Sequence, residues 1–150
     1  MVFRIFWLMT SRGKTVLVVD DHRFLVTQLS RLLMEHGYEV TEAFDGFSAM
    51  ELLRCGDFDY LIADHYMPGY SGLELVDFVC AKSADTGIIL ITSDYGNKET
   101  LDRVRIYPRA SVMIKPVTGT KLLSELTLLS KKAAGERSGG NPVHLPEVLS

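Results

Sequence analysis

Three short runs of almost unbroken apolar residues set the tightest limit on how this chain can fold: VLVV at 16–19, YLIA at 60–63 and GIILI at 87–91. A strand with one wet face alternates apolar and polar residues. Runs without that alternation belong to strands covered on both sides, the habit of parallel sheets. Residues 38–43 and 110–114 complete a set of five strand patterns. Segments with helical spacing lie between them. Phe24, Leu25, Leu29, Leu32, Leu33 and His36 form one stripe, closed by Gly37. Residues 46–54, 72–81, 98–106 and 118–132 are the other predicted helices, with 98–106 the most polar. Five alternations of strand and helix predict an α/β fold, a parallel sheet with helices on both faces and right-handed crossovers. Ligands of such sheets bind at the carboxyl ends of the strands, where the strand order reverses.

Composition bounds the rest. The chain has 150 residues, 47% hydrophobic and 23% charged, which suits one domain with a proper core. A net charge of −3 with scattered Lys and Arg argues against nucleic-acid binding. Cys55 and Cys80 fit neither a metal knuckle nor a disulfide framework. Both fall in apolar helical patterns and are expected as buried free thiols in a reducing cytoplasm. The opening MVFRIFWLM is too short to span a membrane and is followed by no small-residue cleavage site. We expect residues 1–13 to be an extension, with a natural start at Met9 or with Met1 to Leu8 loosely attached; a membrane-surface anchor is the weaker option. From 134 to 150 the chain turns to Gly, Ser, Pro and charge and reads as a flexible tail.

Polar residues at the strand ends carry the chemistry. Strand one runs into Asp20 and Asp21, strand three into Asp64, strand four into Thr92 and strand five into Lys115. Carboxylates brought this close disfavour one another's ionisation, and a divalent cation removes that penalty. Magnesium suits hard oxygen ligands, water and a phosphoryl oxygen. A lone ammonium and a hydroxyl complement the remaining phosphoryl oxygens. No base-activated Ser or Cys is apparent, and a carboxylate can itself be the nucleophile, which points to Asp64. His22 and His65 each follow a key aspartate and invite a transition-metal reading, but a magnesium-type site needs neither. No Gly-rich phosphate loop supports nucleotide binding.

The pieces VLVVDD, YLIADHYMPGYSG, ILITS and IKP, in this order and each at a strand end, resemble the receiver domains of bacterial two-component response regulators, of the stand-alone, chemotaxis-regulator-like type. The resemblance covers 14–133. It implies a flavodoxin-like (βα)5 fold with sheet order 2-1-3-4-5, in a cytoplasmic phosphorelay protein. It implies that Asp64 accepts a phosphoryl group from a phosphohistidine on a sensor histidine kinase or histidine phosphotransfer protein. Asp21, Asp64 and the main-chain carbonyl of Tyr66 would bind Mg²⁺, with Asp20 acting through water. Lys115 would contact Asp64 and the phosphoryl group, and Thr92 would swing inward to hydrogen-bond it. The movement would shift the surface of helix four, strand five and helix five, which is also the dimer surface suggested by analogy. The Lys115–Pro116 bond is expected to be cis.

The sequence departs from the family's pattern in places. Receivers usually carry Tyr or Phe three residues before the lysine, and here that position is Val112, so the usual coupling of threonine to an aromatic is missing. Tyr107 lies nearby in sequence but before the strand, and is not assumed to replace it. Tyr66 and Asp94, two residues after Asp64 and Thr92, stand where the family varies and are expected to influence water access to the acyl phosphate.

Three function classes are weighed. The first is a phosphoryl-accepting signalling module with an unidentified downstream protein target. The second is a pseudo-receiver that only docks. The third is a magnesium-dependent phosphotransferase or phosphatase; such enzymes usually carry a second aspartate two residues after the nucleophile, where this chain has Tyr66. After helix five no output domain is apparent. A docking receiver or a piece of a longer regulator or hybrid kinase both fit.

Overall fold

The computed structural model describes residues 13–94 and 97–138, with side chains to 135. Five parallel strands form one sheet: β1 (Thr15–Val19), β2 (Glu39–Ala43), β3 (Tyr60–Asp64), β4 (Gly87–Thr92) and β5 (Ala110–Ile114), in the order β2-β1-β3-β4-β5. Helices α1 (Arg23–Glu35), α2 (Gly46–Cys55), α3 (Gly72–Lys82), α4 (Lys98–Arg105) and α5 (Gly119–Ser138) follow the strands in turn. This is the predicted α/β architecture, the flavodoxin-like order included.

Burial explains why the apolar runs were unbroken. Every residue of β3 and β4 is buried, and β1 is buried from Val16 onward. The edge strands β2 and β5 are only partly covered. Successive strand side chains point to opposite faces, so each central strand feeds two cores. Leu17, Val19, Leu61, Ala63, Ile88 and Leu90 pack with α2, α3 and α4 residues such as Met50, Val76 and Val104. Val16, Val18, Ile62, Ile89 and Ile91 pack on the other face with Val26, Leu29 and Leu33 of α1 and Leu122, Leu126 and Leu129 of α5.

Some expectations need correction. The last helix continues to Ser138, so residues 134–138 of the predicted tail are helical. Ala133, Ala134, Glu136 and Arg137 are good helix formers, and Gly135 alone does not stop the helix. The remainder of that tail and residues 1–12 lie outside the described residues. Cys55 is exposed and Cys80 half-buried, where both were expected inside. The buried stripe of α2 is Gly46, Ala49, Met50 and Leu53, and Cys55 falls off it. Burial pushes the Cys80 thiol up to about 11, with the charge of Asp77 adding to the rise, which disfavours the thiolate. Asp64 and Thr92 are themselves the last residues of β3 and β4, one residue beyond the predicted ends.

Among the described residues, no helix is long and apolar enough to cross a membrane.

Candidate functional site

The site is built by strand register. Val19 pairs with Ala63, Asp64 with Ile91 and Thr92 with Ile114, so the polar ends of β1, β3, β4 and β5 meet at one edge. The reversal of strand order lies between β1 and β3, where the acidic residues gather. One carboxylate oxygen from each of Asp20, Asp21 and Asp64 lies within 4.8 Å of the others. Lys115 Nζ stands 2.9 Å from Asp64 Oδ1 and 3.8 Å from Asp20 Oδ2. Its backbone N–H donates to the Thr92 carbonyl at 2.9 Å, and the Lys115–Pro116 peptide is cis, as expected.

Local chemistry fixes each loop. The N–H of His22 donates to Asp20 Oδ1 at 2.9 Å, and His22 Nδ1 accepts from the N–H of Leu25 at 3.2 Å, capping α1. After β3, the N–H of His65 donates to the Ile91 carbonyl at 2.8 Å, and the N–H of Gly72 donates to the His65 carbonyl at 2.9 Å. Gly72 is required by close approach: a Cβ there would stand 2.2 Å from the Asp64 carbonyl oxygen. Ser71 and Glu74 form a reciprocal capping box that starts α3. Asp64 is thereby held between β4 and the first turn of α3.

The electrostatics follow from burial. Asp20 and Asp64 are buried and Asp21 is exposed. Burial pushes the Asp20 carboxyl above its ordinary value; the His22 N–H and the Lys115 charge oppose this, and Asp64 and Asp21 add to it. Burial pulls the Lys115 amine down, but its hydrogen bond to Asp64 and the charges of Asp64, Asp20 and Asp21 outweigh that and hold it above its ordinary value. Lys115 is therefore the charged counter-ion of the acidic cluster. The donor set is all carboxylate oxygen, with no thiol or imidazole in it, which fits a hard divalent cation.

Thr92 and His65, both buried, stand beside this cluster. His65 Nδ1 lies 3.3 Å from Thr92 Oγ1, and the N–H of Asp94 donates to the same oxygen at 3.2 Å. Tyr66 is exposed, stacks on His65 with ring centroids 4.0 Å apart and donates its hydroxyl to Asp94 Oδ2 at 3.2 Å. The sequence reading set His65 aside as a metal ligand and missed its contact with Thr92; residues 27 apart in the chain give no local signal of such a pairing. Val112 is half-buried and faces Leu90 in the register, while Tyr107 hydrogen-bonds Asp77 at the other end of β5 and does not approach Thr92.

The chain belongs to the response regulator receiver domain family, whose model matches residues 16–127. It is 27% identical over 119 residues to chemotaxis protein CheY-3 of Vibrio cholerae, covering 77% of this chain and 91% of that one. The structure is similar to chemotaxis response regulator CheY4 of Vibrio cholerae, at TM-score 0.69 and 28% identity over 78% of this chain and 98% of that one. It is also similar, at TM-score 0.69 and 26% identity over 89% of this chain and 78% of that one, to a Burkholderia pseudomallei response regulator solved with a phosphorylated aspartic acid, a calcium ion and citrate. Receiver domains are signalling modules that bind Mg²⁺ at an acidic pocket and work with histidine kinases or phosphotransfer proteins.

Proposed function

We propose that this chain is a phosphoryl-accepting switch in which Asp64 takes a phosphoryl group from a partner phosphohistidine in a Mg²⁺-dependent reaction. The observation that carries the reading is the Lys115 ammonium at 2.9 Å from Asp64, beside an acidic cluster sized for one cation. Asp21, Asp64 and the carbonyl of Tyr66 would hold the ion, and Asp20 would act through water. When bound, the ion would supply neutralisation of the cluster and of the developing phosphoryl charge. Lys115 neutralises a further phosphoryl oxygen, and the Thr92 hydroxyl hydrogen-bonds the group once it is in place. The chain catalyses at most its own phosphorylation and dephosphorylation.

The working unit is residues 14–133, with extensions on either side, and it acts in the cytoplasm by docking on a protein target. The α4–β5–α5 surface changes with phosphorylation and can pair two copies, by analogy with the family. A second reading, a receiver that docks without being phosphorylated, draws on Val112 in place of the usual aromatic. Intact mass after incubation with acetyl phosphate separates the two. The switch gains one phosphoryl group only with Mg²⁺, and Asp64→Asn gains none. No gain, together with no Mg²⁺ binding, establishes the docking-only reading.

A further inference from the structure

The Thr92 hydroxyl is almost fully enclosed, at 1% exposure, yet it has two polar neighbours already. It accepts from the N–H of Asp94, which leaves its own single proton to donate. His65 Nδ1 lies 3.3 Å away on the other side. In a ring that carries its proton on Nε2, Nδ1 is an acceptor, and it lies within hydrogen-bond distance of the Thr92 hydroxyl. The ring is not free to drift. It is buried, its backbone N–H is tied to the Ile91 carbonyl at 2.8 Å, and Tyr66 covers one face at 4.0 Å. Tyr66 is in turn tied to Asp94, so the contacts close a ring between the β3–α3 and β4–α4 loops.

We propose that His65 is a positioning residue that holds the Thr92 hydroxyl in its resting orientation, by competing with a phosphoryl group on Asp64 for that hydroxyl's one proton. This rests on the phosphoacceptor reading given above. A hydroxyl proton can go to one acceptor at a time, so each phosphorylation event must break the Thr92–His65 bond before Thr92 can serve the phosphoryl oxygens. His65 thereby biases the switch toward the resting state. It also links the switch to the exposed Tyr66 ring in the β3–α3 loop, through contacts that do not involve Val112.

The test is binding of beryllofluoride, a phosphoryl mimic, to the Mg²⁺-loaded protein by calorimetry. His65→Phe keeps the ring and its stack and removes the acceptor; it is expected to tighten binding about fivefold, the worth of one net hydrogen bond. His65→Asn, which restores an acceptor oxygen close to the Nδ1 position, is expected to return affinity toward that of the unmodified chain. In a Thr92→Val background, His65→Phe is expected to have no effect, an outcome a merely structural role for His65 would not give. Circular dichroism confirms that each variant is folded, and should His65→Phe fail to fold, the same comparison with His65→Leu, which also lacks an acceptor, in the Thr92 and Thr92→Val backgrounds carries the test. An equal effect of His65→Phe with and without the Thr92 hydroxyl overturns the proposal alone. Absence of any Mg²⁺-dependent binding by the unmodified chain overturns the phosphoacceptor reading and this inference with it.

Discussion

Asp20 and Lys115 show at the scale of single residues how the site stores unfavourable charge. Burial raises the Asp20 carboxyl in the folded chain above its unfolded value. An acid raised in this way favours the fold below its unfolded pKa and loses that contribution as pH rises through the folded one. At neutral pH the charged Asp20 therefore weakens the metal-free fold. Asp20→Asn is expected to raise the Tm of the metal-free protein by a few degrees at pH 7, with the gain vanishing toward about pH 4. Lys115 is the opposite case. Its ammonium is the counter-ion of Asp64 and Asp20 and repels an incoming cation. Lys115→Met is expected to lower the metal-free Tm and to tighten Mg²⁺ binding about threefold or more, read by titration. Looser Mg²⁺ binding in that variant would contradict the assignment.

At the scale of elements, the β3–α3 junction decides whether Asp64 is presented. The Gly72→Ala methyl group would collide with the Asp64 carbonyl oxygen. The variant is expected to lose about 3 kcal/mol of stability and to slow phosphorylation, because α3 must move away from the end of β3. Ser71→Ala removes only one half of the capping box and is expected to cost about 1 kcal/mol with the phosphorylation rate unchanged. Denaturant melts and acetyl phosphate kinetics on the same pair separate the two effects. The elements themselves were largely legible in the sequence. β1, β3 and β4 are buried on both faces, so their apolar runs carried no competing signal. The end of α5 was not legible: residues 134–138 mix the helix formers Ala134, Glu136 and Arg137 with Gly135 and Ser138, and their place on a helix already anchored by Leu122, Leu126 and Leu129 adds to that propensity. Cys55 was misplaced for a related reason, since it falls two residues past the buried Leu53 and points outward.

At the scale of the whole molecule, a parallel sheet delivers residues from distant segments to one edge. That is why Asp20, Asp21, Asp64, Thr92 and Lys115 could be gathered from the sequence once five strands were recognised, and why the acidic cluster and its lysine lie together. What could not be gathered is the arrangement of side chains between loops. The Thr92–His65 and Tyr66–Asp94 contacts join residues 27 and 28 apart, and they depend on rotamers that no periodicity encodes. Mg²⁺ bound at the cluster is expected to stabilise the entire domain by mass action, by about 2.7 kcal/mol at one hundred times its dissociation constant. The Tm should rise by several degrees in the unmodified chain and much less in Asp21→Asn.

The central claim is that Asp64, and no neighbouring group, carries the phosphoryl. It is tested most directly by treating the Mg²⁺-loaded protein with acetyl phosphate, reducing with borohydride and sequencing the peptides by mass spectrometry. Borohydride converts an acyl phosphate to an alcohol and leaves free carboxylates intact. The account predicts that Asp64 alone is reduced, and only when both Mg²⁺ and the phosphodonor were present. Reduction at Asp20 or Asp21, or a phosphoryl group retained on His65, would contradict it.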